Sequence, residues 1–400
     1  METKEKVKRV VRALKNGTFL SKVKQKTVRK FSSSYVKDIE IEDDKIAFLT
    51  FQGRYECNPK AICEEILKQK LPYKLVWIAK KDDYNNLEQY PKELKIVLHN
   101  SVESYKELAS SKIIVMNATE LINLNYKKRK GQIYIQTWHG SMGFKRLYTD
   151  NRSQWRKNAF KLGTQTEYIV TNSDFETKVY RETYWKDTPL LEYGHARNDI
   201  LINKGKDYEE ASQKVRKLYN IPKNKKIVLW APTFRNDLTY KHYKLNYEKL
   251  KECLKKKFGC EFEVLVRFHY KLMEQKVPSN FFDGVISANE YPDIQDLLCA
   301  CDVGITDYSS WMCDYVLTRK PGFLYTSDIE YYDKERGFYY PLETTPFGAS
   351  KTEEELFERI SNFNQQKYNK EVDKFLKDRG CFEKGNASKR IVEKIKELMK

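Results

Sequence analysis

Gly304-Ile305-Thr306-Asp307-Tyr308-Ser309-Ser310 is continued by Trp311-Met312-Cys313-Asp314-Tyr315, and the hand-over between the two sets the architecture expected of the whole chain. An apolar run from Asp302 to Ile305 ends abruptly in a polar cluster, and a helical pattern starts at once. That is a buried strand passing into a helix whose first turn carries two adjacent hydroxyls. Free backbone N–H groups at a helix start, with the partial positive charge of the aligned peptide dipoles, make an anion site, and the serines add donors suited to a phosphate or pyrophosphate. The same residues allow a plainer reading, in which Ser309 or Ser310 only caps the helix.

Outward from this point, short apolar runs alternate with helical periodicity. Strands are expected at Lys45–Phe51, Lys74–Ala79, Lys95–Leu98, Lys112–Met116, Ile133–Trp138 and Tyr168–Thr171, with helices at Pro59–Gln69, Val102–Leu108, Ser153–Leu162 and Phe175–Tyr184. The plan repeats with strands at Lys226–Ala231, Glu263–Phe268, Gly284–Ile286, Val303–Thr306 and Gly322–Tyr325, and helices at Asn246–Lys257, Asp293–Ala300, Trp311–Leu317 and Glu353–Phe363. Such alternation implies α/β architecture with parallel sheets and crossover helices on both faces. We expect two doubly wound, Rossmann-like domains, 41–205 and 206–400, after a basic segment 1–40, joined through the polar, Lys-rich stretch Asn203–Lys225. A last helix, Ala387–Lys400, is expected to pack back across the structure. In open sheets of this kind the ligand lies beyond the carboxyl ends of the strands, so two such domains face each other across a cleft.

Lys plus Arg (74) exceeds Asp plus Glu (56) by 18, which suits polyanionic partners: nucleic acid, anionic lipid or phosphate-bearing substrates. Apolar runs such as Ile227–Ala231 are far short of the roughly 20 residues needed to span a bilayer. The stretch Met1–Lys30 lacks the compact apolar core of a signal peptide; as a basic amphipathic segment it suits an anionic membrane face or a domain-packed helix equally. The eight cysteines include no CxxC pair, which fits reduced thiols in a cytoplasmic protein.

The polar clusters follow the expected strands. Tyr134-Ile135-Gln136-Thr137-Trp138 leads into His139-Gly140-Ser141 and then Lys145; the histidine suits a proton acceptor beside a bulk-free glycine, or a structural turn residue. In the second half Thr233-Phe234-Arg235, Arg267-Phe268-His269, Thr306-Asp307-Tyr308-Ser309-Ser310 and Arg336-Gly337-Phe338-Tyr339 bring three arginines, hydroxyls and a histidine to one sheet edge. Arginine's planar fork binds phosphate bidentately, so this set could neutralise a diphosphate without a metal. Asp307 and Asp314 are weak candidates for magnesium, no metal or cofactor is expected, and the absence of a Gly-x-Gly-x-x-Gly or Gly-Lys-Ser/Thr loop speaks against a dinucleotide dehydrogenase or P-loop ATPase.

Gln136-Thr137-Trp138-His139-Gly140, Thr171-Asn172-Ser173 with Phe175, Gly194 with Arg197-Asn198-Asp199, Ala231-Pro232-Thr233 with Arg235, Arg267 with His269, and Ile305 to Ser310 with Asp314-Tyr315 fall in the order and at about the spacing of the CDP-glycerol glycerophosphotransferase family, the teichoic acid primases and polymerases of Gram-positive bacteria. The sequence resembles that family from about Lys45 to Leu342. The resemblance implies a GT-B fold and transfer of glycerol phosphate from CDP-glycerol to a hydroxyl of a membrane-linked or polysaccharide acceptor, with release of CMP. It implies a catalytic pair, His139 and His269, with Thr233, Arg235, Arg267, Thr306, Ser309, Ser310, Asp314 and Arg336 holding the donor. Gly140, Lys145 and Arg197 fall on the acceptor side. It also implies a cytoplasmic enzyme held peripherally at the inner membrane face. The chain departs from the family pattern at Ser141-Met142-Gly143-Phe144, at His195-Ala196 and at Tyr270, near the acceptor side and the domain junction. CDP-ribitol as donor, or a nucleotide sugar on the same scaffold, are the alternatives; nucleic acid is not an expected partner, since the basic residues are dispersed and no recognition motif is present.

Overall fold

In β1 (Glu42–Leu49) the last five residues are all buried, as befits a strand covered on both faces. A computed structural model describes residues 36, 38–85, 87–147, 154–269, 272 and 282–400. The basic segment Met1–Lys30 and the departure at Tyr270 lie outside them. β1 is joined by β2 (Lys74–Ala79), β3 (Lys95–Leu98), β4 (Ser111–Met116), β5 (Ile133–Gln136), β6 (Tyr168–Thr171) and β7 (Leu190–Glu192) in a seven-stranded sheet of order β3-β2-β1-β4-β5-β6-β7, every pairing parallel. The second sheet has β8 (Lys226–Trp230), β9 (Phe262–Val266), β10 (Ile286–Ser287), β11 (Val303–Thr306), β12 (Gly322–Tyr325) and β13 (Ala349–Ser350), ordered β10-β9-β8-β11-β12-β13 and again parallel. The two sheets repeat one winding: the chain moves outward from the first strand, returns, and continues on its other side.

Alternating side chains of each strand feed cores on opposite faces. Ile46, Phe48, Trp77 and Val115 pack with Ile62 and Ile66 of the helix Cys57–Lys68, whereas Ala47, Leu49, Val76 and Met116 pack with Tyr105 and Leu108 of the helix Val102–Ser110. Full burial of each such large side chain contributes roughly 1.5–3 kcal/mol. The helix Ala387–Leu398, which follows the second sheet in sequence, places Ile391, Val392 and Ile395 in the first sheet's core.

Several elements exceed the sequence reading. The polar stretch Asn203–Lys225 contains a helix, Lys206–Leu218, that buries Tyr208, Ala211 and Val215. Helices also form over Ile329–Arg336 and Gln365–Asp378, and the edge strands Leu190–Glu192 and Ala349–Ser350 are too short for a periodic signal. The expected helix Trp311–Leu317 is α-helical only over Trp311–Tyr315 before tightening to a 3-10 turn. Among the described residues no helix is long and apolar enough to cross a membrane.

Candidate active site

Both winding reversals, between β1 and β4 and between β8 and β11, open on one cleft of about 690 Å³. Phe51, Asn117 and His139 line it from the ends of β1, β4 and β5; Thr233, Arg267, His269, Ser309 and Ser310 line it from the ends of β8, β9 and β11. A larger groove of about 820 Å³, walled by Lys60, Glu64, Asp199 and Asp293 among others, holds neither histidine nor either serine.

His139 is positioned by the segment before it. Gln136 Oε1 accepts from Trp138 N at 2.8 Å, Thr137 N donates to Met116 O at 2.7 Å, and Asn58 Nδ2 donates to Thr137 O at 3.2 Å. These bonds hold Trp138 at φ +50, a backbone state a bulky residue adopts only when its surroundings enforce it. The indole is wedged against Trp185, and the following imidazole turns into the cleft, stacked on Phe51 at 5.4 Å. His139 Nδ1 donates to Asn117 O at 2.6 Å, which makes Nε2 the lone-pair nitrogen. The ring is open to the cleft and enclosed by protein elsewhere; burial, with the charges of Arg197 and Lys145, pushes its pKa down to about 4. A neutral imidazole with a free Nε2 is a proton acceptor at neutral pH.

Across the cleft His269 packs on Phe234 at 4.4 Å. Arg267 anchors Nη2 on Pro292 O at 3.3 Å, while Nη1 is buried with no hydrogen-bond partner among the described residues, as is Thr233 Oγ1. A guanidinium N–H and a hydroxyl left unsatisfied beside a cleft are suited to an oxyanion. Ser310 stands at the N-cap of Trp311–Tyr315 but its side chain makes no capping bond, against the plain reading. Ser310 instead meets the first half, since a Cβ on Gly143 would lie 2.8 Å from Ser310 Cβ. Gly304 serves a related need: a Cβ there would strike the Tyr315 ring at 2.8 Å, so glycine lets the short helix lie against β11.

The other expected residues divide. Lys145 and Arg336 line the cleft, and Lys145 bridges to Phe338, so the Arg-Gly-Phe-Tyr segment docks beside the segment that follows His139. Burial, then the charge of Arg336, pushes Lys145 down to about 8. Arg235 also lines the cleft, but its guanidinium is already engaged: it makes four hydrogen bonds, to Asp307, Thr233 O and both carboxylate oxygens of Asp328, and lies 4.9 Å from the ring centres of Tyr308 and Tyr332. It braces the loop after β8 rather than offering a fork to phosphate. Thr306 does not reach the cleft; its hydroxyl donates to Ala231 O at 2.7 Å. Asp314 and Arg197, expected on donor and acceptor sides, both line the cleft and are each other's partner there. Arg197 Nε donates to Asp314 Oδ2 at 3.0 Å and its Nη2 to Gly140 O, pinning the Trp-His-Gly turn to the helix after β11. Asp307 and Asp314, the candidates for magnesium, are each held by an arginine.

Sequence reading missed Asn117, which orients both His139 and, through Oδ1 at 2.7 Å, Phe51 N. It also missed a buried joint in which Glu383 Oε1 accepts from His195 N, Asn198 Nδ2 and Asn172 Nδ2 at 3.1, 2.8 and 3.2 Å. His195 is part of this joint, its Nε2 2.9 Å from Glu176 Oε2.

Two parallel sheets wound alike around a shared cleft define the GT-B class of transferases and related enzymes. The chain belongs to the CDP-glycerol:poly(glycerophosphate) glycerophosphotransferase family, whose model matches residues 30–397. It is 31% identical to the teichoic acid poly(glycerol phosphate) polymerase of Staphylococcus epidermidis over 97% of this chain, and spans 55% of that protein's length. It is 30% identical to the Bacillus spizizenii protein of the same description, with 88% of this chain and 91% of that one covered. A solved structure of the wall teichoic acid polymerase TagF superposes with a TM-score of 0.80 at 29% identity, covering 99% of this chain and 98% of that chain; a variant of it has been soaked with CDPG.

Proposed function

We propose that the chain transfers glycerol phosphate from CDP-glycerol to a hydroxyl of a lipid-linked or polysaccharide acceptor in the synthesis of teichoic acid or a related cell-surface polymer. The acceptor oxygen attacks the phosphorus that bears glycerol, and the bond from that phosphorus to the oxygen of CMP breaks. The hydroxyl proton passes to His139 Nε2, and the bonding pair leaves with CMP. Arg267, His269, Thr233, Ser309 and Ser310 offset the charge that develops on the phosphoryl oxygens and on CMP, with Lys145 and Arg336 at the cleft wall. Phosphoryl transfer depends mostly on such positioning and electrostatics. In this reading 41–205 serves the acceptor and 206–400 the donor.

The observation that carries the proposal is an imidazole, anchored through Nδ1 on Asn117 O, facing unsatisfied phosphate-type donors across one cleft. The net charge of +18 suits docking to the anionic inner face of the membrane and to a polyanionic product. The test is purified protein with CDP-glycerol, CDP-ribitol or nucleotide sugars, with acceptors presented in phosphatidylglycerol vesicles at low and high salt. CMP release with CDP-glycerol, a product heavier by glycerol phosphate and a salt-sensitive rate are expected. Release of a nucleoside diphosphate from a sugar donor, or none from any donor, overturns the reaction; a salt-indifferent rate overturns the membrane docking.

A further inference from the structure

A side pocket of about 170 Å³ opens beside His139, on the first-sheet side of the cleft. Its walls are largely aromatic and aliphatic, from Trp138, Leu147, Phe175, Val179 and Tyr339, and it shares His139, Lys145 and Ser310 with the cleft. At about 30 Å³ per water the space takes some six non-hydrogen atoms. That suits a three-carbon polyol and is well below the roughly 300 Å³ where pockets for drug-sized ligands begin.

Polar atoms are placed where hydroxyls would need them. Ser141 Oγ accepts from Asn172 Nδ2 at 3.0 Å and keeps its own proton to donate. Glu176, whose Oε1 accepts from Tyr180 Oη at 2.6 Å, brings a carboxylate to the same wall. The C–H faces of a polyol pack on aromatic rings while its hydroxyls reach such partners. We propose that this pocket receives the terminal polyol of the acceptor, setting its free hydroxyl against His139 Nε2 with its phosphate at the Lys145 mouth. The proposal rests on the glycerophosphotransferase reading. It assigns the pocket to the nucleophile because Arg267, His269, Thr233 and Ser309, groups suited to the donor phosphates, line the cleft and not the pocket, with Ser310 and Arg336 at the boundary shared by both.

Trp138 makes occupancy visible. Glycerol 3-phosphate, the probe for the acceptor end, is titrated into the full-length wild-type protein with tryptophan emission as readout, alone and with saturating CMP. A saturable change that persists in CMP is expected; no change, or displacement by CMP, overturns the proposal without reference to any variant. Val179→Phe and Leu147→Phe fill the pocket from separate elements. In whichever of them folds, calorimetry should give a glycerol 3-phosphate Kd raised at least about tenfold with the CDP-glycerol Kd within about twofold. Unchanged glycerol 3-phosphate binding, or loss of CDP-glycerol binding with it, assigns the pocket elsewhere. Wild-type protein that binds glycerol 3-phosphate but ignores CDP-glycerol would sink the donor assignment and leave the pocket standing.

Discussion

His139 differs from an ordinary surface histidine in two ways that a titration can read. Its Nδ1 proton is spent on Asn117 O, and enclosure beside two cations pushes the pKa from the usual 6.5 to about 4. Lys145 is pushed down to about 8. The free-enzyme profile of kcat/KM is therefore expected to stay level through pH 6.5, fall on the acid side only toward about 4 as His139 is protonated, and fall on the alkaline side above about 8 as Lys145 loses its charge. Lys145→Arg should carry the alkaline limb upward, and His139→Ala should cost at least about 10²-fold at every pH. An acid limb at 6.5 would mean that the His139 imidazole is not held below its ordinary value. The histidine itself was legible from one sequence because it follows a strand and precedes a glycine. Asn117 was not, since an asparagine after a strand reads as an ordinary turn residue.

Among the elements, the loop after β8 is where sequence reading placed a phosphate ligand and the structure places a brace. Arg235 is 2% exposed and holds Asp307 and Asp328, with Asp307 in turn accepting from Thr233 N at 2.8 Å. Arg235→Met leaves two carboxylates without their cation, at a cost of about 3–5 kcal/mol. A large drop in the urea midpoint is expected, with activity lost in step; an unchanged midpoint with lost CDP-glycerol affinity would restore the phosphate role. Residue type and strand-end position alone do not distinguish these outcomes, because the carboxylates that claim Arg235 arrive from β11 and from the loop after β12. The strands themselves were legible: β2, β3, β6, β11 and β12 carry compact β-branched or aromatic runs and match residue for residue. The helix Lys206–Leu218 went unread because three apolar positions, Tyr208, Ala211 and Val215, stand in an otherwise charged stretch, although their spacing is helical.

Across the whole molecule, the halves meet through apolar packing, with Met142 and Phe144 in the second half's core and Ile391 and Ile395 in the first sheet's, and also through a polar joint. Glu383 comes from the segment before the last helix and accepts from Asn172, His195 and Asn198 of the first half. Burial pushes its carboxyl from about 4.5 up to about 7, the nearby His195 opposing the shift only in part. Between those values the native form holds more protons than the unfolded chain. Its contribution to stability is complete below about 4.5 and lost as pH rises through about 7. Glu383→Gln keeps the shape and removes the ionisation, so its urea midpoint should gain on wild type as pH is raised from about 5 to 8. Parallel curves would exclude Glu383 as the titrating group.

The return of Ala387–Leu398 to the first sheet bears on how the protein is made. Ile62, Ile66 and Trp77 are translated hundreds of residues before Ile391 and Ile395, the side chains that cover them. During synthesis the leading half thus waits with an oily flank exposed while the second half emerges and folds, and Ala387–Leu398 then covers it. Vulnerability to aggregation and to chaperone capture is concentrated in that interval.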